Sequence, residues 1–543
     1  MPNRIFFIIG IILIPLFVSA STYHVGPGQT YSAISDVPLE NLNAGDSVLI
    51  HYRSAPYREK FVIGAHGTAA SPVVIMGVDS AGILPVIDGD GAVTRQQLDF
   101  WSENRGIIKV GGTSTPSDDA AYVEIRNLDI RTGKEGIPFT DDGGNASTFA
   151  GNAAAIFVEK GDHITISHCD VHDCGNGIFV AWQSSNILIE YCHIYDNGKE
   201  NSIYEHNTYT EAQGIVYQFN VFGKLRANCL GNNLKDRSAG TVIRYNWIEG
   251  GNRQLDLVES DYSELIDMPE YRETFVYNNV LVEFDNDGNS QILHYGGDNG
   301  DASLYRKGTL HFYYNTVVSF RSGNTTLMRL STNDESADIR NNVIYATAGG
   351  TKLALVDSDG KADLRNNWLN SNWRVSHSNS SANVNDISGN LTGADPVFTD
   401  LNNHVFQPDT NSPLIGKAGA LNNSMSTMSP LYAFDTNIPT LANRNGDLDD
   451  IGAWMYTPPV GLDPVVMKSC IRVFPNPSSG TVFVRLGAMD HPVSAILSDI
   501  LGKTVWTGML EPEQTSSISI PGNGTYLLLS PDLPGSYKKI VVE

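Results

Sequence analysis

Short stretches in which apolar and polar residues alternate recur along most of this chain, each followed by an Asn. Clear copies are Val-Ile-Arg-Tyr-Asn-Trp-Ile (242–248) and Phe-Val-Tyr-Asn-Asn-Val-Leu (275–281), with others at 311–317, 338–344 and 363–369. Looser copies start at Val123, Ile164 and Ile187. A period of two predicts β-strands whose successive side chains point to opposite faces. Marking the apolar residue three before the Asn gives Ile166, Ile189, Tyr217, Ile243, Val276, Phe312, Ile339 and Leu364, at steps of 23, 28, 26, 33, 36, 27 and 25 residues. A repeat of that length is one coil of a solenoid, where a strand buries its apolar side by stacking on the next coil.

The same alternation assigns places to other residues. The marker and the residue two later fill the core, and the residue between them faces water; Arg126, Arg244, Arg340 and Arg365 take that outward position. Asn220, Asn246, Asn279, Asn315, Asn342 and Asn367 share a turn position, where Asn tolerates the left-handed conformation and can hydrogen-bond to the Asn of the next coil. A stacked Asn ladder is predicted. Cys169 and Cys192 fall in that position too, so the cluster from His168 to Cys174 reads as stacked architecture rather than a transition-metal site. The 51 Gly and 23 Tyr suit short strands joined by turns, and five Cys in 543 residues are too few for a disulfide framework.

This repeat resembles the right-handed parallel β-helix superfamily that includes the pectate-lyase-like enzymes, over residues 22–455. His24-Val-Gly-Pro-Gly-Gln-Thr-Tyr31, Ala44-Gly-Asp46 and Gly67-Thr68 resemble its N-terminal cap. Ala394-Asp-Pro-Val-Phe398, Asn411-Ser-Pro413 and Asp450-Ile-Gly-Ala453 resemble the segment that closes such a helix at its far end. The expected fold is all-β: a right-handed parallel β-helix solenoid over 21–456, a Pro-rich linker over 457–466, and a small β-sandwich over 467–543. In the last segment, Val473-Phe-Pro-Asn-Pro-Ser-Ser-Gly480, Gly502-Lys503, Gly524-Thr-Tyr526 and Lys538–Glu543 resemble the C-terminal sorting domain of the type IX secretion system. Residues 1–20 carry Arg4, an apolar run from Ile5 to Val18 and a small-residue end at Ala20, the layout of a signal peptide. A secreted or cell-surface monomer, exported across an outer membrane by the type IX machinery, is what these segments imply.

Sixty acidic and 36 basic residues leave a net charge of −24, which excludes a nucleic-acid partner. Against that background, residues 224–253 hold six basic side chains (Lys224, Arg226, Lys235, Arg237, Arg244, Arg253) and two acidic ones, Asp236 and Glu249. A local basic excess on an acidic solenoid points to an anionic ligand. The order of four segments also resembles a polysaccharide-degrading branch of β-helix proteins: Glu205-His206-Asn-Thr-Tyr209, Gly231-Asn-Asn-Leu-Lys235-Asp-Arg237-Ser, Gln254-Leu-Asp256-Leu and Ile292-Leu-His294-Tyr295-Gly296. That branch expects a His near Asn232 or Asn233 and a Pro-Asn-Gly after the Asp strand; this chain has Val258-Glu259-Ser260 there.

The reaction implied is β-elimination on an acidic, uronic-acid-containing polysaccharide. It needs a base beside the carboxylate-bearing carbon, a cation for the carboxylate and help for the leaving oxygen. Lys235 is the expected base if burial and Arg237 depress its pKa, Arg237 the carboxylate partner, and His206 or Tyr209 the group serving the leaving oxygen. Tyr209, Arg253, Asp256, His294 and Tyr295 are expected to bind substrate. Calcium is the cofactor the resemblance leaves open, with oxygen ligands on the loop Asp285-Asn-Asp-Gly-Asn289. Two other readings compete: a glycoside hydrolase using Asp256 and Glu259, and a glycan-binding surface solenoid without catalysis.

Overall fold

A computed structural model describes residues 20–96, 99, 101–434, 441–444, 446–457, 471–487, 491–499, 503–530 and 537–542. Residues 1–19 of the segment expected to be a signal peptide and residues 458–466 of the expected linker lie outside the described residues. The chain divides into two compact units, 1–456 and 457–543.

The first unit is a parallel solenoid with three faces. On one face, Gly106–Val110, Ala154–Val158, the leading parts of Asn176–Glu190 and Thr208–Gln218, then Leu234–Asp236, Leu255–Leu257, Gln291–Tyr295, Thr325–Leu330 and Leu353–Val356 stack in parallel order. The second face continues each coil, from Ala120–Arg126 through Ala239–Arg244 to Asn383–Ser388. The third is an 11-stranded sheet running from Val86–Asp88 to Leu391–Gly393.

The marker residues form one row in unbroken register: Val48, Ile75, Ile125, Ile166, Ile189, Tyr217, Ile243, Val276, Phe312, Ile339 and Leu364. All are buried in one continuous apolar core. A one-residue slip would turn such a row out to water, so burial fixes the register.

At the corner between the second and third faces the predicted ladder is present. Nδ2 of Asn220 donates to Oδ1 of Asn246 at 2.9 Å, and the same bond repeats through Asn279, Asn315, Asn342 and Asn367 to Asn390. Each Oδ1 also accepts the backbone N–H of the Asn one coil earlier. Cys192 joins the end of the stack, its N–H donating to Oδ1 of Asn220.

The left-handed residue is not the ladder Asn but the one before it. Phe219, Tyr245, Asn278, Tyr314, Asn341 and Asn366 have φ between 53° and 60°. That geometry turns the ladder side chain inward and throws its predecessor outward. The outward group then holds a later segment: Tyr314 donates to the carbonyl of Leu448, Tyr245 accepts from the N–H of Leu431, and Asn341 exchanges two hydrogen bonds with Gly419.

That segment is the one expected to close the far end. It instead runs back along the outside of the solenoid, where Phe406, Leu414, Phe434, Ile451 and Trp454 pack on Trp247, Val280, Val318, Val343 and Trp368. The outer surface of the third sheet is apolar, and covering it removes that surface from water. The same cover changes one of the outward arginines: Arg340 is buried, donating to the carbonyl of Ala420 and pairing with Asp338.

The second unit consists of two antiparallel sheets. One joins Ile471–Phe474, Thr481–Leu486 and Thr515–Ser519; the other joins Val493–Asp499, Thr504–Leu510, Gly524–Leu529 and Tyr537–Val542. Val482, Val484, Leu497, Leu528 and Ile540 form its core, as in a small β-sandwich.

Candidate functional site

On the first face the outward positions of consecutive coils form a second row: Phe157, Phe179, Tyr209, Lys235, Asp256, His294 and Arg329. Alternation explains the central strand. Leu234 enters the core, Lys235 points out, Asp236 points in, and Arg237, just past the strand end, reaches the groove. The inward Asp236 is fully buried, accepting from Thr210 at 2.9 Å and Thr241 at 2.6 Å and facing Arg306 at 3.4 Å. Arg306 also donates to the carbonyls of Val258 and Ser238 at 2.9 Å each, which ties the strand beneath Lys235 to its neighbour.

A cavity of about 400 Å³ opens above this row, with His206, Tyr209, Lys235, Arg237, Arg253 and Asp298 among its lining residues. Five of the eight residues singled out from the sequence therefore converge. Lys235 Nζ lies 2.9 Å from both Asp256 Oδ2 and Asp298 Oδ2. Arg237 lies 3.5 Å from Asp298 Oδ1 and from Glu259 Oε1 and donates to the Glu259 carbonyl. Arg253 donates to Gln291 and faces Asp256 at 3.9 Å.

The remaining three sit below or away from the cavity. Asp256 is fully buried behind Lys235, accepting from Asn232 at 2.7 Å and meeting Nδ1 of His294 at 3.0 Å. His294 is buried too, its Nε2 2.9 Å from the Ser331 hydroxyl, so it orients Asp256 rather than touching a ligand. Tyr295 does not belong to the site. It pairs with Leu257 and Leu330 in the inward register and lies wholly in the core.

Two carboxylates set the electrostatics of Lys235 against the expected role of base. Burial alone would push its ammonium down, but the carboxylates of Asp256 and Asp298 outweigh that and hold the pKa above the usual lysine value. Burial pushes the Asp256 carboxyl up, yet Lys235 and the hydrogen bond from His294 hold it well below the ordinary range. Lys235 is thus a cation in this groove. His206 is the opposite case: burial, aided by the charge of Lys235, lowers it to about 3. Its Nδ1 accepts the N–H of Asn232 at 2.9 Å, so the neutral ring carries its proton on Nε2. Its ring lies 5.7 Å from that of Tyr209, whose phenol is pushed up by burial against the pull of Arg237 and Lys235.

The basic excess read from residues 224–253 disperses. Lys224 pairs with Asp287, Arg226 with Asp173, and Arg244 bonds Gln218 and Tyr277 on the second face. Only Lys235, Arg237 and Arg253 of the six line the groove cavity, and Asp256, Asp298 and Glu259 answer them. Asp298 carried no signal in the sequence, being brought in by a Gly-flanked turn whose Asp298 and Asn299 N–H groups are held by the buried Glu259 carboxylate. Glu259 and Asp256 are both fully buried and bonded, so neither offers a free carboxylate to the groove. Asn232 is one of the two positions, with Asn233, near which a His is expected from the resemblance.

The Asp285–Asn289 loop does not fit a calcium site: Asp285 accepts from Ser322, and Asp287 accepts the Phe284 N–H and faces Lys224. Elsewhere among the described residues, Glu103, Asp141 and Asp142 bring one carboxylate oxygen each within 4.8 Å of one another, a set able to ligate a divalent cation.

Residues 87–267 match the family described as right handed beta helix region, in agreement with the parallel coils seen here. No curated protein matches the chain. Among solved structures, an alginate lyase from Paenibacillus sp. str. FPU-7 is similar at 14% identity and a TM-score of 0.41, covering 67% of this chain and 99% of that one. Pectate lyase Pel9A is similar at 12% identity and a TM-score of 0.43, covering 81% and 98%. DFA-IIIase from Arthrobacter chlorophenolicus A6, without its lid, is similar at 12% identity and a TM-score of 0.40, covering 70% and 100%.

Proposed function

We propose that this chain is an exported polysaccharide lyase that cleaves an acidic, uronic-acid-containing polysaccharide by β-elimination. One observation carries the reading: on the cavity floor a single carboxylate, that of Asp298, reaches both Lys235 at 2.9 Å and Arg237 at 3.5 Å. A pair of cations spaced to share one carboxylate is what a uronate needs, and the Asp298 side chain, 36% exposed, stands where the substrate group enters. The uronate carboxylate takes its place. Neutralising that carboxylate acidifies the proton on the adjacent ring carbon, which is the demanding part of the elimination.

Lys235 then acts as a cation rather than as the base. The proton transfers fall to Tyr209, a cavity-lining group beside Arg237. Its oxygen, as phenolate, takes the proton from the ring carbon as the C–O bond to the departing sugar breaks and the double bond forms, and as phenol returns that proton to the departing oxygen; His206, its Nδ1 taken by the Asn232 N–H, donates a hydrogen bond from Nε2. The hydrolase reading finds no support in the buried Asp256 and Glu259. Export as a monomer through the type IX machinery, to the surface or medium, is part of the same proposal and rests on the sequence layout of residues 1–20 and the sequence resemblance of residues 467–543.

Incubation with pectate, alginate and glycosaminoglycans tests the reaction. The expected result is ultraviolet absorbance from the new double bond with at least one polymer, reduced by about 10²-fold or more in Arg237→Ala. New reducing ends without that absorbance would overturn the elimination.

A further inference from the structure

The mouth of the same cavity has a chemistry opposite to its floor. Ile203, Tyr204 and Leu230, which line it, are 56%, 75% and 45% exposed. Large apolar side chains exposed singly are ordinary; three gathered at the rim of one polar cavity are not. They come from two different coils, and the loops that carry them are tied together. The Leu230 N–H donates to the Ser202 carbonyl at 2.9 Å, the Asn201 N–H to the Asn228 carbonyl at 2.9 Å, and Glu200 pairs with Cys229 in an antiparallel bridge. The lip is therefore held in place by backbone bonds while its side chains remain uncovered.

We propose that this lip is a second sugar subsite, in which Tyr204, flanked by Ile203 and Leu230, packs against the C–H face of the pyranose ring next to the uronate held by Lys235 and Arg237. The inference rests on the reading of the floor as a uronate site. A pyranose is amphipathic: its ring hydrogens form an apolar face that an aromatic side chain covers, while its hydroxyls and carboxylate point to the sides. A polymer of such rings presents both chemistries at a spacing of one residue, and the cavity offers both within one volume. The ionic floor answers the carboxylate and the lip answers the face of the neighbour. Asn232 and Asn252 also line the cavity, and each amide nitrogen keeps a second N–H beyond its bond to Asp256 or Asn232 for a sugar hydroxyl.

The lip makes a demand that the floor does not: it needs a ligand of at least two sugars. Its test uses the full chain and variants Tyr204→Ala and Tyr204→Trp, with polygalacturonate, alginate and hyaluronan as probes. Affinity is measured by electrophoresis in gels containing each polymer, and kcat/KM is measured on any polymer that is cleaved. Tyr204→Ala is expected to lose roughly tenfold in polymer affinity or kcat/KM, through KM, with its melting temperature unchanged because the side chain is exposed. Tyr204→Trp is expected to keep or improve affinity, with an indole fluorescence change on adding polymer. A monosaccharide uronate should bind wild type and Tyr204→Ala alike. Unaltered polymer affinity in Tyr204→Ala would overturn the lip while leaving the floor reading intact. Binding without ultraviolet absorbance would overturn the elimination and leave the lip, and wild-type protein that binds none of the three polymers would overturn both.

Discussion

Two rows of stacked side chains run along this solenoid, and they are used in opposite ways. At one corner, coil after coil places the same Asn, each satisfying the N–H and the side chain of the last. On the first face, consecutive coils place Tyr209, Lys235, Asp256 and His294 in the same register, all different. Repetition lets every polar group be satisfied by its copy, and the result is inert. Variation at equal spacing sets unlike charges side by side in a partly dry groove, where each tunes the next. The fold supplies the spacing in both cases.

Breaking the ladder in its middle is expected to have the largest effect on stability. Asn279→Ala removes the acceptor of two buried donors on Asn246 and the two amide N–H groups shared among Asn315, Ile243 and Tyr277. The cost expected is about 3 kcal/mol in denaturant unfolding. A loss below about 1 kcal/mol would show that water replaces the ladder.

The groove should instead reveal itself through pH. His206, folded, titrates at about 3, while the unfolded side chain takes its proton near 6.5. Below that value the unfolded state binds more protons, so stability falls as pH falls. Between pH 7 and 5 the wild type should lose about 2 kcal/mol more than His206→Gln. Equal slopes for the two proteins would mean that the ring is not buried neutral.

Smaller changes sharpen the contrast. Cys192 already accepts the ladder's geometry: its N–H bonds Asn220, and its thiol faces the carbonyls of Glu190 and Ile166, as an Asn amide would. Cys192→Asn should lengthen the ladder by one rung and alter stability by no more than about 1 kcal/mol. Tyr295→Phe should change least. Its buried hydroxyl interacts with Thr274 inside the coil and not with the described groups of the groove, so stability is expected to stay within about 1 kcal/mol and activity on any cleaved polymer to stay unchanged. An activity loss there would return Tyr295 to the site.

Much of the architecture was legible because it is local. Alternation identified the marker row and the shared Asn position without any knowledge of neighbours, and the Lys235 coil stood out for its composition. Alternation also separates His294 from Tyr295, since adjacent strand residues cannot share a face; the Tyr-Gly resemblance obscured that. The left-handed turn residue was misplaced by one, because only the backbone shows which of two neighbouring residues carries the positive φ.

What the sequence by itself determined is the period, the in-and-out order of each strand and the polar groups each coil can offer, all consequences of residues close along the chain. The tertiary structure alone decided that Phe406, Leu414, Phe434, Ile451 and Trp454 lie along the solenoid, and that Asp298, 63 residues after Lys235, bridges Lys235 to Arg237. It alone made Lys235 a cation, through a carboxylate from the next coil. A pKa depends on distance and burial in space, and neither is written in the order of residues.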